Sequence, residues 1–356
     1  MLWPVPNELG QPISPLHANS AIDFTFYQGS RDYYVGLARE LLAIAEAPGA
    51  PTTESAQLGF VSAPVIPALL FVFGYDKGNT LPLSSLYVLA SCALVSGWLW
   101  WLHHRGLSFI WLCLFSLLPT PFWFMLNVSS DLPFACALAV VFFLLCPAKG
   151  VPRMWGGLLA AIVASLIRPN GLVLLLFVLL FWLQRSRLRT GQDIAAAMIA
   201  TTLGIALFLF YQDYGSDFLA SQTDLAYFGI LPGGYAAGLF PGLPDFVNFP
   251  LSWGAFAGAK LLYLVGLRPS WANPDFSAVA LRALPGFIML PGLVYAIIAG
   301  DKHIRVLLGL YLIPFLIGVS QERYLLAVQP ILFYFAVRAV RDLVCGRKRR
   351  LIRPNS

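Results

Sequence analysis

Charge is the property that this sequence has least of. Only 11% of its 356 residues are Asp, Glu, Lys or Arg, against about 25% in a soluble globular protein. Hydrophobic residues make up 58% of the chain, and the mean hydropathy is +0.74. This is more apolar surface than one water-soluble core can bury. We therefore expect an all-α, polytopic membrane protein with no soluble domain attached.

Further absences narrow the class of function. Residues 1–20 have neither a charged nor an apolar segment, so we expect no signal peptide there. No acidic residue lies at the centre of an apolar run, which argues against a proton-coupled transporter. The five cysteines show neither a disulfide framework nor metal-ligand spacing. The net charge of +6 comes from short loops instead of one basic patch, which argues against a nucleic acid partner.

Apolar runs separated by Gly, Pro or short basic loops predict about nine membrane-spanning helices. Ahead of them, residues 59–74 are apolar but short and contain Pro64 and Pro67, which predicts a kinked or re-entrant segment. The predicted spans are 81–101, 107–125, 132–146, 154–167, 172–183, 194–211, 279–299, 306–319 and 324–340.

Basic residues are unequally divided between alternate loops, and the richer side is expected in the cytoplasm. The poorer side has only Lys77, Arg168 and Arg323 in its short loops. This places the C-terminus inside and the long loop 212–278 outside. The richer side has Arg105, Lys149, Arg153, Arg185, Arg187, Arg189, Lys302, Arg305 and the basic tail from Arg338 to Arg353.

The predicted spans and the distribution of basic residues together divide the chain into three parts. We expect residues 1–80 to form an outer-face loop, the candidate catalytic loop, with interfacial helices and the kinked segment. We expect residues 81–341 to form the transmembrane bundle and residues 342–356 a basic cytoplasmic tail. About nine spans with an internal C-terminus place Met1 outside. Either a first span is missing ahead of the catalytic loop, or residues 59–74 form a full span and the N-terminus is inside.

Two predicted spans form a broken helix pair. At 1.5 Å per residue, 154–167 and 172–183 reach about 21 and 18 Å, less than a hydrocarbon core of about 30 Å. Their junction, Arg168-Pro169-Asn170-Gly171, therefore lies within the membrane profile or below a thinned outer surface. Irregular backbone at that depth requires surrounding protein or a water-filled cavity. We expect this turn to line the active site.

Two aspartates stand out in residues 21–42, which are rich in tyrosine. Asp23 and Asp32 fall on the predicted outer side, where a carboxylate can act as a base on a sugar hydroxyl. The alternative is that Asp23 caps a helix and Asp32 is a solvated loop charge.

Three arginines fall where the predicted outer surface meets apolar sequence: Arg168, Arg268 and Arg323. A guanidinium there can pair bidentately with the phosphate of a lipid-linked donor. Tyr324 follows Arg323 and can hold its side chain by packing. The alternative is snorkelling to the interface or, for Arg323, pairing with Glu322.

Four motifs follow one another in the order of a known enzyme class. They are Asp23-Phe24 with Tyr27, SAPVIPALL at 62–70, WGGLLAAIVASLIRPNGLVLLL at 155–176, and Glu322-Arg323-Tyr324 with Pro330. In these motifs the chain resembles the GT-C superfamily of integral membrane glycosyltransferases, which use a polyprenyl-phosphate sugar. The first is similar to the outer-loop Asp-Phe and tyrosine of polyprenyl-phosphate-mannose-type transferases. The family has a span ahead of this loop, which residues 1–80 do not show.

The resemblance implies an inverting transfer at the outer face of the cytoplasmic membrane, to a glycan or glycolipid acceptor. Asp23 would deprotonate the acceptor, with Asp32 or Asp131 as second choices, and Arg323, Arg168, Arg268 and Tyr324 would hold the donor phosphate. Partners are then the lipid-linked donor, the acceptor and membrane lipids. No cofactor or metal ligand set is predicted, and a divalent ion is left open. The alternative is a polymerase or ligase of lipid-linked glycans, or a flippase, in a surface-polysaccharide pathway.

Overall fold

The computed structural model describes residues 5–6, 12–13, 65–73, 81–118, 130–147, 152–185, 194–195, 198–206, 209, 242–264, 276–317, 325 and 327–344. Within these residues the protein is all-α, as predicted, apart from one short antiparallel pair, β1 (Val5–Pro6) and β2 (Pro12–Ile13). The helices are α1 (Val65–Val72), α2 (Leu81–His104), α3 (Phe109–Ser116), α4 (Asp131–Leu145), α5 (Met154–Ile167), α6 (Leu172–Arg185), α7 (Asp245–Leu264), α8 (Phe276–Ala299), α9 (Lys302–Ile317) and α10 (Gln329–Val344).

Most helices lie where the apolar runs predict them. The helix α5 has the predicted bounds 154–167, and α6 extends beyond 183 to Arg185. The last helix, α10, begins at Gln329 and not at 324. Pro330 is its second residue, and a proline is favoured in the first turn of a helix because it has no N–H to donate. Of the predicted span 107–125, the structure describes a helix over Phe109–Ser116, and residues 119–129 lie outside the described part.

Part of the predicted loop 212–278 is helical. It contains α7, which is 20 residues long, and the start of α8 at Phe276. Polar residues at Asp245, Asn248, Ser252 and Lys260 lower the hydropathy of α7. For that reason, α7 did not stand out as an apolar run.

The helices pack in an order that partly follows the chain. α4 lies along α5, α5 along α6, α6 against α9, and α9 against α7, while α8 lies along α10. Aromatic rings join α2, α4 and α10: the Trp101 ring centroid is 5.3 Å from that of Phe142 and 5.4 Å from that of Tyr334. Rings in such edge-on contacts add favourable interactions to their buried area.

The helix α10 is at the centre of this packing, since every residue from Gln329 to Val337 is buried. Its contact with α8 requires a glycine, because a Cβ on Gly292 would overlap the carbonyl of Leu332. A helix that is apolar all round is typical of the core of a bundle. The amphipathic stripe of a surface helix is therefore absent from this half of α10.

One helix among the described residues is long and apolar enough to cross a membrane. It is Ser85–His104 in α2, with 20 residues and a mean hydropathy of 1.5. Large apolar side chains are exposed on several helices, including Leu89 of α2, Phe109 of α3 and Leu159 of α5. Shorter apolar helices are Asp131–Leu145, Met154–Ile167, Leu172–Gln184 and Pro285–Ala299.

Candidate functional site

Contacts between helix ends bring several basic side chains to one end of the bundle. Arg341, near the end of α10, donates to the carbonyl of Gly106, just after α2, at 3.4 Å. Tyr295 of α8 donates to Asp342 of α10. Three helices therefore have their C-terminal ends together.

Four more helices reach the same end. The N–H of Arg153, ahead of α5, donates to the carbonyl of Leu144 in α4 at 2.8 Å. The His303 ring at the start of α9 is 4.3 Å from the Phe181 ring near the end of α6. Two residues separate the end of α8 from the start of α9, and Phe142 near the end of α4 packs on Trp101 near the end of α2. We call this the basic end; its described basic side chains are His103, His104, Arg105, Arg153, Lys302, His303, Arg305, Arg338 and Arg341.

The broken helix pair turns at the opposite end. α5 runs away from the basic end and α6 returns to it, with a 3-10 turn, Pro169–Gly171, between them. Arg168 has an extended backbone, φ −152 and ψ 143, and the residue before a proline is driven to that conformation. Pro169 thus ends α5 at Ile167.

Glycine closes this turn. The N–H of Gly171 donates to the carbonyl of Arg168 at 2.8 Å, and the N–H of Arg168 donates to that of Ala164 at 3.0 Å. A Cβ on Gly171 would overlap the Ala164 carbonyl group. The turn therefore folds tightly onto the end of α5 only because residue 171 has no side chain.

The side chain of Arg168 is held by an acid from another helix. Its Nη1 donates to Oδ1 of Asp131 at 2.6 Å, and the two side chains are 18% and 4% exposed. A charge-assisted contact of this length is among the stronger hydrogen bonds in proteins. The pair connects the start of α4 to the turn between α5 and α6.

The other member of the pair, Asp131, lies at a helix N-terminus. It is the first residue of α4, preceded by the buried Ser130, and the N-terminus of a helix stabilises negative charge. Since a guanidinium has five N–H donors, an arginine that binds one carboxylate oxygen can also bind a phosphate.

The structure brings together only some of the predicted site residues. Arg168 and Asp131 are in direct contact. The predicted base Asp23 and its alternative Asp32 lie outside the described residues. The same is true of the other donor-binding candidates, Arg268, Arg323 and Tyr324.

Buried polar residues that the sequence analysis did not single out are also present. Lys260 of α7 is 1% exposed. Gln329, at the start of α10, is buried, and its Oε1 has no hydrogen-bond partner within the described part of the chain. A single polar residue within an apolar stretch is the signal that would have identified either one. Among the described residues, no group of three or more His, Cys, Asp or Glu side chains could hold a metal ion.

Comparisons with protein families, curated proteins and solved structures gave no match to this chain.

Proposed function

We propose that this protein is a polytopic membrane glycosyltransferase of the GT-C type. It transfers a sugar from a polyprenyl-phosphate donor to a glycan or glycolipid, with inversion, at the extracytoplasmic face of the cytoplasmic membrane. The C-terminus is cytoplasmic. The observation that carries the proposal is the ion pair of Arg168 and Asp131 at the broken turn.

Two properties of that pair support a site for a lipid phosphate. The turn joins two helices of 14 residues each, which reach about 21 Å and so fall short of the hydrocarbon thickness of about 30 Å. The turn would then lie within the membrane profile or below a thinned outer surface, where a cavity surrounded by protein could admit the donor phosphate. The guanidinium is fixed by a buried partner, and a fixed donor binds without losing much conformational freedom.

The contact of Asp131 with Arg168 bears on the role proposed for Asp131. Oδ1 of Asp131 accepts the Arg168 contact, so Asp131 is better suited to position the guanidinium than to accept a proton from a hydroxyl. The proposed general base is Asp23, on the strength of the GT-C resemblance, and Asp32 is its alternative. Arg323 with Tyr324, and Arg268, are proposed to bind the same donor phosphate as Arg168.

The proposal is tested by measuring sugar transfer from a labelled polyprenyl-phosphate hexose in membranes that contain the protein. Mannose is the first sugar to test. A positioned base contributes about 100-fold or more to such a rate, so Asp23→Asn should reduce transfer by at least that factor. At matched amounts of folded protein, Arg168→Ala should weaken donor binding and slow turnover. Its matched control is Arg153→Ala, at the other end of the same helix, α5.

The alternative function is a polymerase or ligase of lipid-linked glycans, or a flippase. An arginine at the turn could hold a lipid diphosphate in such a protein too, but Asp23 would have no part in the chemistry. Full transfer by Asp23→Asn would remove Asp23 as the base. Loss of activity in Arg168→Ala together with an unaffected Asp23→Asn would favour the polymerase or ligase.

A further inference from the structure

The helix α7 buries polar side chains and exposes large apolar ones. Ser252 and Lys260 are buried, and the Ser252 hydroxyl donates to Oδ1 of the half-buried Asn248 at 3.0 Å. In contrast, Phe246 is 81% exposed and Phe249 is 58% exposed. A helix on the surface of a water-soluble protein has the opposite arrangement.

Helical spacing separates the two faces. Asn248, Ser252, Lys260 and Leu264 are four or eight residues apart and form the inward face. We define the outward face by residues that recur every three or four positions and are all exposed. After Asp245, the exposed residues of α7 whose side chains the structure describes are all apolar, Gly or Pro. The outward face consists of Leu251, Gly254, Gly258 and Leu262, with Phe246, Phe249 and Pro250 beside it.

We propose that α7 lies in the hydrocarbon of a lipid bilayer, with its outward face against acyl chains. In water this orientation would be unfavourable on both sides, since it exposes apolar side chains and buries polar ones. In hydrocarbon the same orientation is favourable on both faces. Lipid tails solvate the leucines and phenylalanines, and protein surrounds the serine and the lysine.

Length and charge agree with this placement. α7 has 20 residues, which corresponds to about 30 Å, the thickness of a hydrocarbon core. Its charged residues are Asp245, at the first position, and the buried Lys260. Its neighbour α9 also exposes a large apolar side chain, Ile313, so the apolar surface is not confined to α7.

The placement differs from the topology predicted by loop charges, in which residues 212–278 lie outside. It adds a crossing to the nine predicted and so bears on the sidedness of the segments before α7, but it does not depend on the proposed catalytic roles. It would also explain why α7 has few charges and why its Lys260 is buried, because intramembrane charges are rare and usually face protein.

Spin-label accessibility in liposomes of phosphatidylcholine and phosphatidylglycerol tests the proposal. In a background with all cysteines replaced by alanine, nitroxides are attached at Phe249→Cys and Leu262→Cys. Collisions with oxygen, which concentrates among acyl chains, should exceed those with a water-soluble nickel chelate at both positions. Leu89→Cys, exposed on the apolar span of α2, is the lipid control, and Asp301→Cys, exposed between α8 and α9, is the water control.

Two results would overturn the placement of α7 alone. With Leu89→Cys still reporting lipid, greater collision with the nickel chelate at both α7 positions would mean that α7 faces water. Protection from both reagents would mean that protein, such as a second copy packed on Gly254 and Gly258, covers the outward face. If Leu89→Cys also reported water, the protein would not be inserted, and the proposed membrane function would fail as well.

Discussion

Removal of either member of the Arg168–Asp131 pair should destabilise the bundle, and by unequal amounts. At 2.6 Å and an effective dielectric constant near 20, the gross attraction is about 6 kcal/mol, much of which offsets desolvation. Loss of one partner from a buried pair costs about 3 to 5 kcal/mol. Asp131→Ala should lower the free energy of unfolding by about 3 kcal/mol, because the remaining Arg168 is 18% exposed and can turn to water.

Arg168→Ala should cost more, because it leaves a carboxylate that is 4% exposed. The double variant should be more stable than the sum of the single losses predicts, with a coupling energy of about 2 kcal/mol, within the range for residues in contact. The free energy of unfolding is measured by titration with sodium dodecyl sulfate in dodecyl maltoside micelles, followed by far-ultraviolet circular dichroism. The exposed Arg153 provides the control Arg153→Ala, expected within about 0.5 kcal/mol of the parent.

Additivity would refute this reasoning. If the two single losses sum to the double loss within about 0.5 kcal/mol, the contact between Arg168 and Asp131 does not stabilise the fold. A positioning role for Asp131 also predicts that the Asp131→Asn protein, at matched amounts of folded protein, needs more donor for half-maximal sugar transfer. Asp301→Asn, at the basic end, should leave that dependence unchanged.

Three further outcomes are expected. Gly171→Ala should lower the free energy of unfolding by about 1 to 3 kcal/mol, as overpacking does, because the new Cβ overlaps Ala164. Gly309→Ala has open space around its Cβ and should not lower it. Equal thermal denaturation midpoints for the two variants would contradict this prediction. Arg323→Ala should lose both donor affinity and rate, and unchanged donor dependence and turnover, measured at matched folded protein, would exclude Arg323 from the site. Cysteine labelling should reach Ser55→Cys in intact cells but His104→Cys only after permeabilisation, and the reverse pattern would invert the proposed orientation.

Local sequence was sufficient to predict most of the helices. The bounds of α5 were predicted to the residue, because Pro169 forces the preceding residue out of helical conformation. Arg168 was identified as a candidate for the same reason, since the break and the arginine are adjacent in sequence. The helix α7 was not predicted, because Asn248, Ser252 and Lys260 interrupt its apolar run. The sequence does not show that the polar face of a helix points inward, since that depends on its neighbours.

The sequence by itself determined where apolar segments begin and end, because their length and their interruption by Pro and Gly depend on neighbouring residues alone. Only the tertiary structure decided that Asp131 contacts Arg168, 37 positions away, and that Lys260 faces inward. Both follow from how separate helices pack, and each pairing depends on which helix lies beside which. The same packing brings Trp101, Phe142 and Tyr334 together from three helices.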